Sequence, residues 1–233
     1  MATIVKGIVC DVGHVATRGS VLNHILQKIG RKDAMSLLYD SSAAESGSAE
    51  DFDAAVRSKM SLKIQALRGL GRSELKELLN DVPLTHGLAS FVEFARRVEL
   101  RLAFVGAVPA SITALLFERA LSDTQGPEII GSSIQWRDGH VFDAGWICTP
   151  TEKHDAFVNW MSRNGLTRTG TVYIGDSIGD IPAMTALPRN NRIGFNATNP
   201  SVLSASGRAF EKSFDPVISY LEAGFVLPTA GQA

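Results

Sequence analysis

The amino-acid sequence predicts an α/β fold, a three-layer sandwich in which helices cover both faces of a parallel sheet. Short apolar segments alternate with segments of helical spacing over most of the 233 residues, and such alternation is typical of parallel sheets. Two of the apolar segments end on an aspartate. A long block of helical spacing interrupts the alternation after the first apolar segment, which predicts a small helical cap inserted at that point.

The strands of the sheet are predicted from continuous apolar composition. Ile4 to Asp11 is mostly apolar and β-branched, the pattern of a strand buried on both faces. Leu100 to Val105 and Thr171 to Gly175 have the same character, and Asp176 directly follows the second of them. Another strand is predicted at Arg192 to Asn196.

One hairpin and several helices are predicted from turn and end signals. The pair Asp138-Gly139 stands between two runs of strand composition within Ile134 to Phe142, which predicts a tight hairpin. Thr149 and Glu152, with a proline at the first helical position between them, form the pattern of a capping box that opens a helix. Further helices are predicted at 53–67, 73–79, 87–98, 109–121 and 216–222.

The domain organisation follows from where the alternation breaks. Residues 1–18 and 85–226 are predicted to form the α/β core, and residues 19–84 the helical cap. Within the cap, the polar stretch 41–50 predicts a loop. The final residues, 227–233, are predicted to be a flexible tail.

Composition excludes several classes of partner. Lys plus Arg number 23 and Asp plus Glu number 24, so no excess of positive charge is present to bind a nucleic acid backbone. No apolar stretch approaches the roughly 20 residues that span a bilayer, and the chain begins without a basic leader joined to an apolar run. Two cysteines, Cys10 and Cys148, make no disulfide framework. We therefore expect a cytoplasmic protein with no nucleic acid or membrane partner.

Acidic side chains after two strands predict a metal site. Ligands of open parallel sheets bind at the carboxyl ends of the strands, where Asp11 and Asp176 are both placed. The turn Gly175 to Asp180 adds a second acid four residues after Asp176, and crowded carboxylates need a cation to neutralise them. Hard oxygen ligands suit Mg²⁺. Lys153, in the first turn of a predicted helix, would be favoured there by a nearby anion.

These residues together resemble the haloacid dehalogenase superfamily. Its pattern is an aspartate after the first strand, a Ser or Thr after the second, a lysine opening a later helix and a Gly-Asp-x-x-x-Asp turn. Asp11, Lys153 and Gly175 to Asp180 fill the first, third and fourth places in order. The stretch Asp51 to Gly106 is similar to the cap and second strand of phosphoserine phosphatases, and the resemblance extends over roughly residues 4 to 222. It implies a Rossmann-like core sheet and a phosphoric monoester hydrolase.

The resemblance implies a covalent route and a role for each matched residue. Asp11 would attack a phosphate monoester and form an aspartyl phosphate, which water hydrolyses. Mg²⁺ would be held by Asp176, by Asp11 and by the backbone carbonyl of Gly13. Lys153 would balance the charge of the nucleophile and the phosphoryl group. Asp180 would organise the water around the metal and Lys153.

Several positions depart from the family pattern and point to reduced or altered activity. Gly13 stands where the family has a second aspartate, the general acid and base, and His14 is the nearest replacement, although on an extended segment it would point away. Gly106 stands in place of the Ser or Thr that binds the phosphoryl group. In phosphoserine phosphatases a glutamate binds the substrate's amino group, and the corresponding position in this chain lies near Ser20. Arg57 of the cap would face an anionic group of the substrate.

Three functions stay open from the sequence. The first is Mg²⁺-dependent hydrolysis of a small phosphorylated metabolite. The second is a catalytically weak binding or regulatory protein, because polar groups of the family pattern are missing. The third is hydrolysis of another bond, in a haloacid or in a phosphonate, where Lys59 or Lys63 would form an imine. The sequence does not fix the oligomeric state and leaves a homodimer open.

Overall fold

The computed structural model describes residues 4–35, 48–121 and 126–228. The strands of these residues are β1 (Gly7–Cys10), β2 (Arg101–Gly106), β3 (Glu128–Gly131), β4 (Ile134–Arg137), β5 (His140–Ala144), β6 (Thr171–Gly175), β7 (Arg192–Phe195) and β8 (Arg208–Phe210). A six-stranded sheet has the order β3-β2-β1-β6-β7-β8 with all neighbours parallel. β4 and β5 form a separate antiparallel hairpin.

Helices connect the strands. They are α1 (Val21–Lys28), α2 (Lys32–Met35), α3 (Ala49–Gln65), α4 (Arg72–Leu78), α5 (Leu88–Arg97), α6 (Ala110–Ala120), α7 (Pro150–Arg163), α8 (Ile181–Thr185), α9 (Pro200–Ala205) and α10 (Asp215–Gly224). Short turns of tighter or wider helix lie at Val12–Ala16, Ile178–Asp180 and Arg189–Asn191. No helix of the described segments is long and apolar enough to cross a bilayer.

The two faces of the sheet bury separate apolar clusters. Ile8 and Cys10 of β1 belong to one cluster, and Val9 between them belongs to the other, because successive side chains of a strand point to opposite faces. The second cluster includes Phe157 and Trp160 of α7. The structure is therefore the predicted α/β sandwich with a layer of helices on each face, and the predicted fold class is confirmed.

Between β1 and β2 the chain forms helices α1 to α5, with no strand of the main sheet among the described residues there. Residues 41–47 of the loop predicted at 41–50 lie outside the described residues. At Ala49 and Glu50 that prediction is wrong, because a capping box at Ser48 starts α3 there. The Ser48 hydroxyl accepts the Asp51 backbone N–H at 3.1 Å, and the Asp51 carboxylate accepts the Ser48 N–H at 3.2 Å. The division into cap and core at residues 19 and 84 stays a prediction.

Most other predicted elements are present within a few residues of their predicted ends. Asp138 and Gly139 both have positive φ, 51° and 78°, as a tight hairpin turn requires. Only half of the capping box predicted at α7 forms: Glu152 accepts the Thr149 N–H at 3.2 Å, whereas the buried Thr149 hydroxyl has no hydrogen-bond partner among the described residues. β3, β8, α8 and α9 were not predicted, since segments of three to six residues show no period.

Candidate active site

The site lies where the order of the sheet reverses. β1 pairs with β2 on one side and with β6 on the other, so the carboxyl ends of β1 and β6 are adjacent. The Asp11 N–H donates to the carbonyl of Ile174 at 2.9 Å. This hydrogen bond places Asp11 beside the end of β6, which Asp176 directly follows. In parallel sheets, a crevice for ligands opens where strands are added on one side of a strand and then on its other side.

Three carboxylates meet at this point. One oxygen from each of Asp11, Asp176 and Asp180 lies within 4.8 Å of the others. Burial, and after it the nearby Asp180, raises the pKa of Asp11 against the opposing effect of Lys153. Burial, followed by the charges of Asp11 and Asp180, raises the pKa of Asp176 well above its usual range. The cluster therefore carries negative charge that its surroundings do not fully neutralise.

The ammonium of Lys153 bridges two of the carboxylates. Its Nζ donates to Asp11 Oδ1 and to Asp180 Oδ1, both at 2.7 Å, and the residue is 6% exposed. Burial alone would lower the Lys153 pKa, but the two carboxylates hold it well above its usual range. Lys153 is thus a fixed positive charge beside Asp11. Its place in the first turn of α7 is explained by these anions.

Asp180 has both carboxylate oxygens occupied by hydrogen bonds. Oδ1 accepts from Lys153 and from the hydroxyl of Tyr173 at 2.9 Å, and Oδ2 accepts the N–H groups of Asp176 and Ser177 at 3.2 and 3.1 Å. Burial would raise the Asp180 pKa, but Lys153 and these hydrogen bonds lower it. Asp180 is therefore suited to orient Lys153 and the turn that carries Asp176.

The donor set fits Mg²⁺. Asp11 keeps a second carboxylate oxygen beyond its bond to Lys153, and Asp176 is partly buried beside it. Burial raises the pKa of both acids and the neighbouring carboxylates add to this effect, so a cation placed between the two acids would favour their ionised forms. Carboxylate oxygens with room for water and phosphate are the environment that Mg²⁺ prefers. Asp180, being saturated, is the less suitable direct ligand.

A cavity of about 480 Å³ opens onto these groups, a volume in the range of small-molecule sites. Asp11, Gly13, Ser20, Lys153 and Asp176 of the predicted site line it. One wall of the cavity is formed by α3, through Val56, Lys59, Met60 and Lys63. Their spacing of three or four residues places them on one face of the helix. A larger groove of about 920 Å³ lies at the amino ends of β2 and β3 and holds none of the three carboxylates.

The segment after Asp11 turns sharply instead of staying extended. His14 has a φ of 58°, and both Gly13 and His14 line the cavity. Because the segment is not extended at His14, the argument from side-chain alternation does not apply to this residue. A methyl group at Gly13 would lie 3.9 Å from Asp11 Oδ2, an ordinary contact distance, so a Cβ fits at this position without a clash.

Gly106 presents the opposite situation. A methyl group there would lie 2.8 Å from Asp11 Oδ1, closer than real contacts allow. The carboxylate of Asp11, held by Lys153, occupies the space that a Ser or Thr side chain would need. A hydroxyl residue at this position would require the Asp11 carboxylate to rotate.

Arg57 does not line the cavity, although Val56 and Lys59 on the same helix do. It is exposed and forms an ion pair with Glu152 at 2.5 Å. Its predicted contact with substrate stays a prediction. Sequence reasoning missed Tyr173 and Asn23, since a tyrosine in an apolar strand and an asparagine in a helix carry no local signal of a site.

The chain has the fold of haloacid dehalogenase-type hydrolases, and Asp11, Asp176 and Asp180 lie together at the carboxyl ends of its strands. No protein-family model matches the sequence, and no curated protein matches it. The likeness is to solved structures at low sequence identity, and it establishes the fold.

Three solved structures illustrate this likeness. A HAD family hydrolase from Salmonella enterica serovar Typhi superposes with a TM-score of 0.73 at 16% identity, covering 89% of this chain and 67% of that protein. A phosphoserine phosphatase studied as a phospho-aspartyl intermediate analogue gives 0.71 at 15%, covering 94% and 99%. A probable phosphoserine phosphatase from Vibrio cholerae gives 0.71 at 17%, covering 93% and 64%.

Proposed function

We propose that this protein is a Mg²⁺-dependent phosphatase that hydrolyses a phosphate monoester of a small metabolite through an aspartyl phosphate on Asp11. The observation that carries the proposal is the position of Asp11, which lines the cavity and is hydrogen-bonded to the buried Lys153. The phospho-aspartyl analogue of the similar phosphoserine phosphatase supports the same route.

Asp11 acts as the nucleophile. One oxygen of the Asp11 carboxylate attacks phosphorus, the bond from phosphorus to the ester oxygen breaks, and that oxygen leaves with the electron pair. Lys153 stays charged because two carboxylates hold its pKa high, so it neutralises negative charge as the phosphoryl group approaches. Water then attacks phosphorus and releases inorganic phosphate and free Asp11.

Asp176, Asp11 and the backbone carbonyl of Gly13 would hold the metal ion. When bound, Mg²⁺ supplies charge that lowers the repulsion between the carboxylate and the phosphate dianion. Asp180 keeps the turn in place through the Asp176 and Ser177 N–H groups. These contacts make Asp180 a positioning residue in the proposal.

The substrate we propose has a good leaving group. Gly13 offers no acid to protonate the departing oxygen, a contribution of about 10² to 10⁴ in rate in enzymes that have one. The leaving groups of acyl phosphates and sugar 1-phosphates need less protonation by a general acid than the alkoxide of phosphoserine does. His14 is exposed and lines the same cavity, and we propose its imidazole as the group that exchanges a proton with the leaving oxygen or with water.

The proposal is tested with Asp11→Asn and para-nitrophenyl phosphate in the presence of Mg²⁺. We expect turnover to fall to background with the melting temperature retained, since the amide is a poor nucleophile of nearly the same shape. Asp155→Asn, an exposed acid of α7, is the matched control and should keep full activity. Unchanged hydrolysis by Asp11→Asn would refute the nucleophile.

A second candidate function is hydrolysis of a phosphonate that carries a carbonyl group. The observation in its favour is Lys59, which lines the cavity and whose pKa is lowered to about 8 by burial and by Lys63. A neutral Lys59 amine would condense with the carbonyl and release water. Asp11 would then attack phosphorus, and the iminium would accept the electron pair of the breaking carbon–phosphorus bond as the phosphoryl group passes to Asp11. Borohydride reduction in the presence of phosphonoacetaldehyde should then leave a covalent adduct on Lys59, and its absence would eliminate this candidate.

A further inference from the structure

The cavity wall formed by α3 carries positive charge of its own. Lys59 and Lys63 lie one helical turn apart on the face that lines the cavity with Asp11. Lys63 is only 7% exposed, and its Nζ donates to the side-chain oxygen of Asn23 at 2.7 Å. Asn23, from α1, lines the same cavity. Two helices thus hold an ammonium at the cavity surface.

The charge of Lys63 is not balanced by an acid. In the part of the chain that the structure describes, no carboxylate forms an ion pair with Lys63 within 4.0 Å. The hydrogen-bond acceptor of Lys63 is the neutral side-chain amide of Asn23. Burial of an ammonium without a counter-charge is unfavourable, and burial accordingly lowers the Lys63 pKa. The nearby Lys59 increases the local positive charge.

We propose that Lys63, with Asn23 and Lys59, forms a binding subsite for a second anionic group of the substrate, a carboxylate or a phosphate. The subsite rests on the proposed function in one respect, since it assumes that the scissile phosphate binds at Asp11. The proposal assigns the selection of substrates to the face of α3 that lines the cavity. The preferred substrates are then phosphate esters with negative charge at both ends.

The alternatives for this wall fit less well. A neutral substrate group would leave the Lys63 ammonium desolvated and without a counter-charge, and a cationic group would be repelled by both lysines. Arg57, the cation that the sequence favoured for an anionic group, is already paired with Glu152. Lys63 is therefore the better placed of the two cations to bind a substrate anion within the cavity.

Matched aryl phosphates test the subsite. Phenyl phosphate carries no second charge, whereas carboxyphenyl phosphate and the bisphosphate of dihydroxybenzene, each as meta and para isomers, add a carboxylate or a phosphate. We expect kcat/KM to be about tenfold or more higher for at least one doubly anionic probe, as one charge-assisted hydrogen bond supplies. The better of the carboxylate and phosphate probes identifies the anion.

Lys63→Met should remove this preference, so that kcat/KM falls much more for the doubly anionic probe than for phenyl phosphate, since methionine keeps the length but not the charge. Lys63→Arg should retain part of the preference. Lys76→Met, an exposed lysine of α4, is the control and should change neither substrate. If Lys63→Met does not fold by thermal melting, Asn23→Leu and Lys59→Met give the same comparison. Equal rates for all probes, or equal loss for phenyl phosphate and charged probes, would overturn the proposal.

Failure of the phosphatase proposal would be recognised separately. If the native protein hydrolyses none of the probes, calorimetric affinities of the same probes in Mg²⁺ replace the rates. Tighter binding of a doubly anionic probe that is lost in Lys63→Met supports the subsite without catalysis. Equal affinities for singly and doubly anionic probes overturn it.

Discussion

Two glycines define the candidate site at the residue scale, and they differ in what surrounds them. A Cβ at Gly13 meets no clash, and the φ of −68° there is accessible to any residue. Gly106 lies against the Asp11 carboxylate, so a side chain there would displace the nucleophile. A Cβ can therefore be added at the first position without rearrangement, whereas a Cβ at the second position requires the Asp11 carboxylate to move.

Gly13→Asp is expected to accelerate hydrolysis of substrates with poor leaving groups. The new Cβ fits without a clash and the carboxyl group can protonate the departing oxygen, so kcat/KM for glycerol 2-phosphate should rise by about 10². The rate for para-nitrophenyl phosphate should change much less, because its leaving group needs no proton. Gly13→Asn, which has the shape but no acid, is the control. Equal rates for Gly13→Asp and Gly13→Asn would contradict the explanation.

Gly106→Ser is expected to lower activity, although it introduces the residue type of the family pattern. The new Cβ would push Asp11 Oδ1 away from Lys153, and the nucleophile would lose its orientation. We expect at least about a tenfold loss in kcat with para-nitrophenyl phosphate. The melting temperature should stay nearly constant, since the group that moves is the end of a side chain. Activity equal to that of the native protein would show that Asp11 rotates without cost.

At the scale of elements, the hairpin joins the cap segment to the rest of the chain. The N–H of Gly69 donates to the carbonyl of Val141, and the N–H of Val141 donates to the carbonyl of Leu70, both at 2.9 Å. Asp143 of β5 also accepts from Arg68, at 2.6 Å. The end of α3, which carries Lys59 and Lys63, is thereby held against the hairpin.

Gly139→Ala should destabilise the hairpin and hence the position of α3. A side chain at a φ of 78° costs about 1 to 2 kcal/mol in the free energy of unfolding, measurable by urea denaturation. Gly126→Ala is the control, because a methyl group there meets no atom of the described residues within 4 Å and the backbone has no positive φ. The same cost for both variants would show that loss of glycine flexibility, not the turn, is responsible.

For the whole molecule, the carboxylate cluster links stability to pH and to divalent ions. Asp11 and Asp176 have raised pKa values, so the folded state retains protons that the unfolded chain has lost. Stability from these two groups therefore falls as pH rises above the ordinary carboxyl range. Asp180, whose pKa is lowered, acts in the opposite direction, and its contribution is lost as pH falls below that range.

Mg²⁺ should therefore stabilise the protein more at about pH 8 than at about pH 5, because its ligands must be deprotonated. With free Mg²⁺ at about a hundred times its Kd, the melting temperature at the higher pH should rise by about 5 to 10 °C. Differential scanning fluorimetry with and without Mg²⁺ measures the shift, and Asp176→Asn should reduce it. An equal rise at both pH values would argue against metal binding by these acids.

The sequence was sufficient where the signals are local. Asp11 and Asp176 could be placed at strand ends because buried strands have continuous apolar composition, and Asp138-Gly139 predicted its turn because few residues accept positive φ. The start of α3 was mispredicted, since the polar residues that cap it resemble a loop. The shortest strands and helices could not be predicted, because three to six residues show no period.

What the sequence by itself determined is the type of fold and the acids and lysine at its carboxyl edge, because periodicity and end signals act over a few residues. Only the tertiary structure decided which side chains meet. Lys63 finds Asn23 and Arg57 finds Glu152 across 40 and 95 residues of chain, and Asp11 fills the space beside Gly106. Such contacts depend on how the helices pack against the sheet, and packing distant segments leaves no pattern in either segment alone.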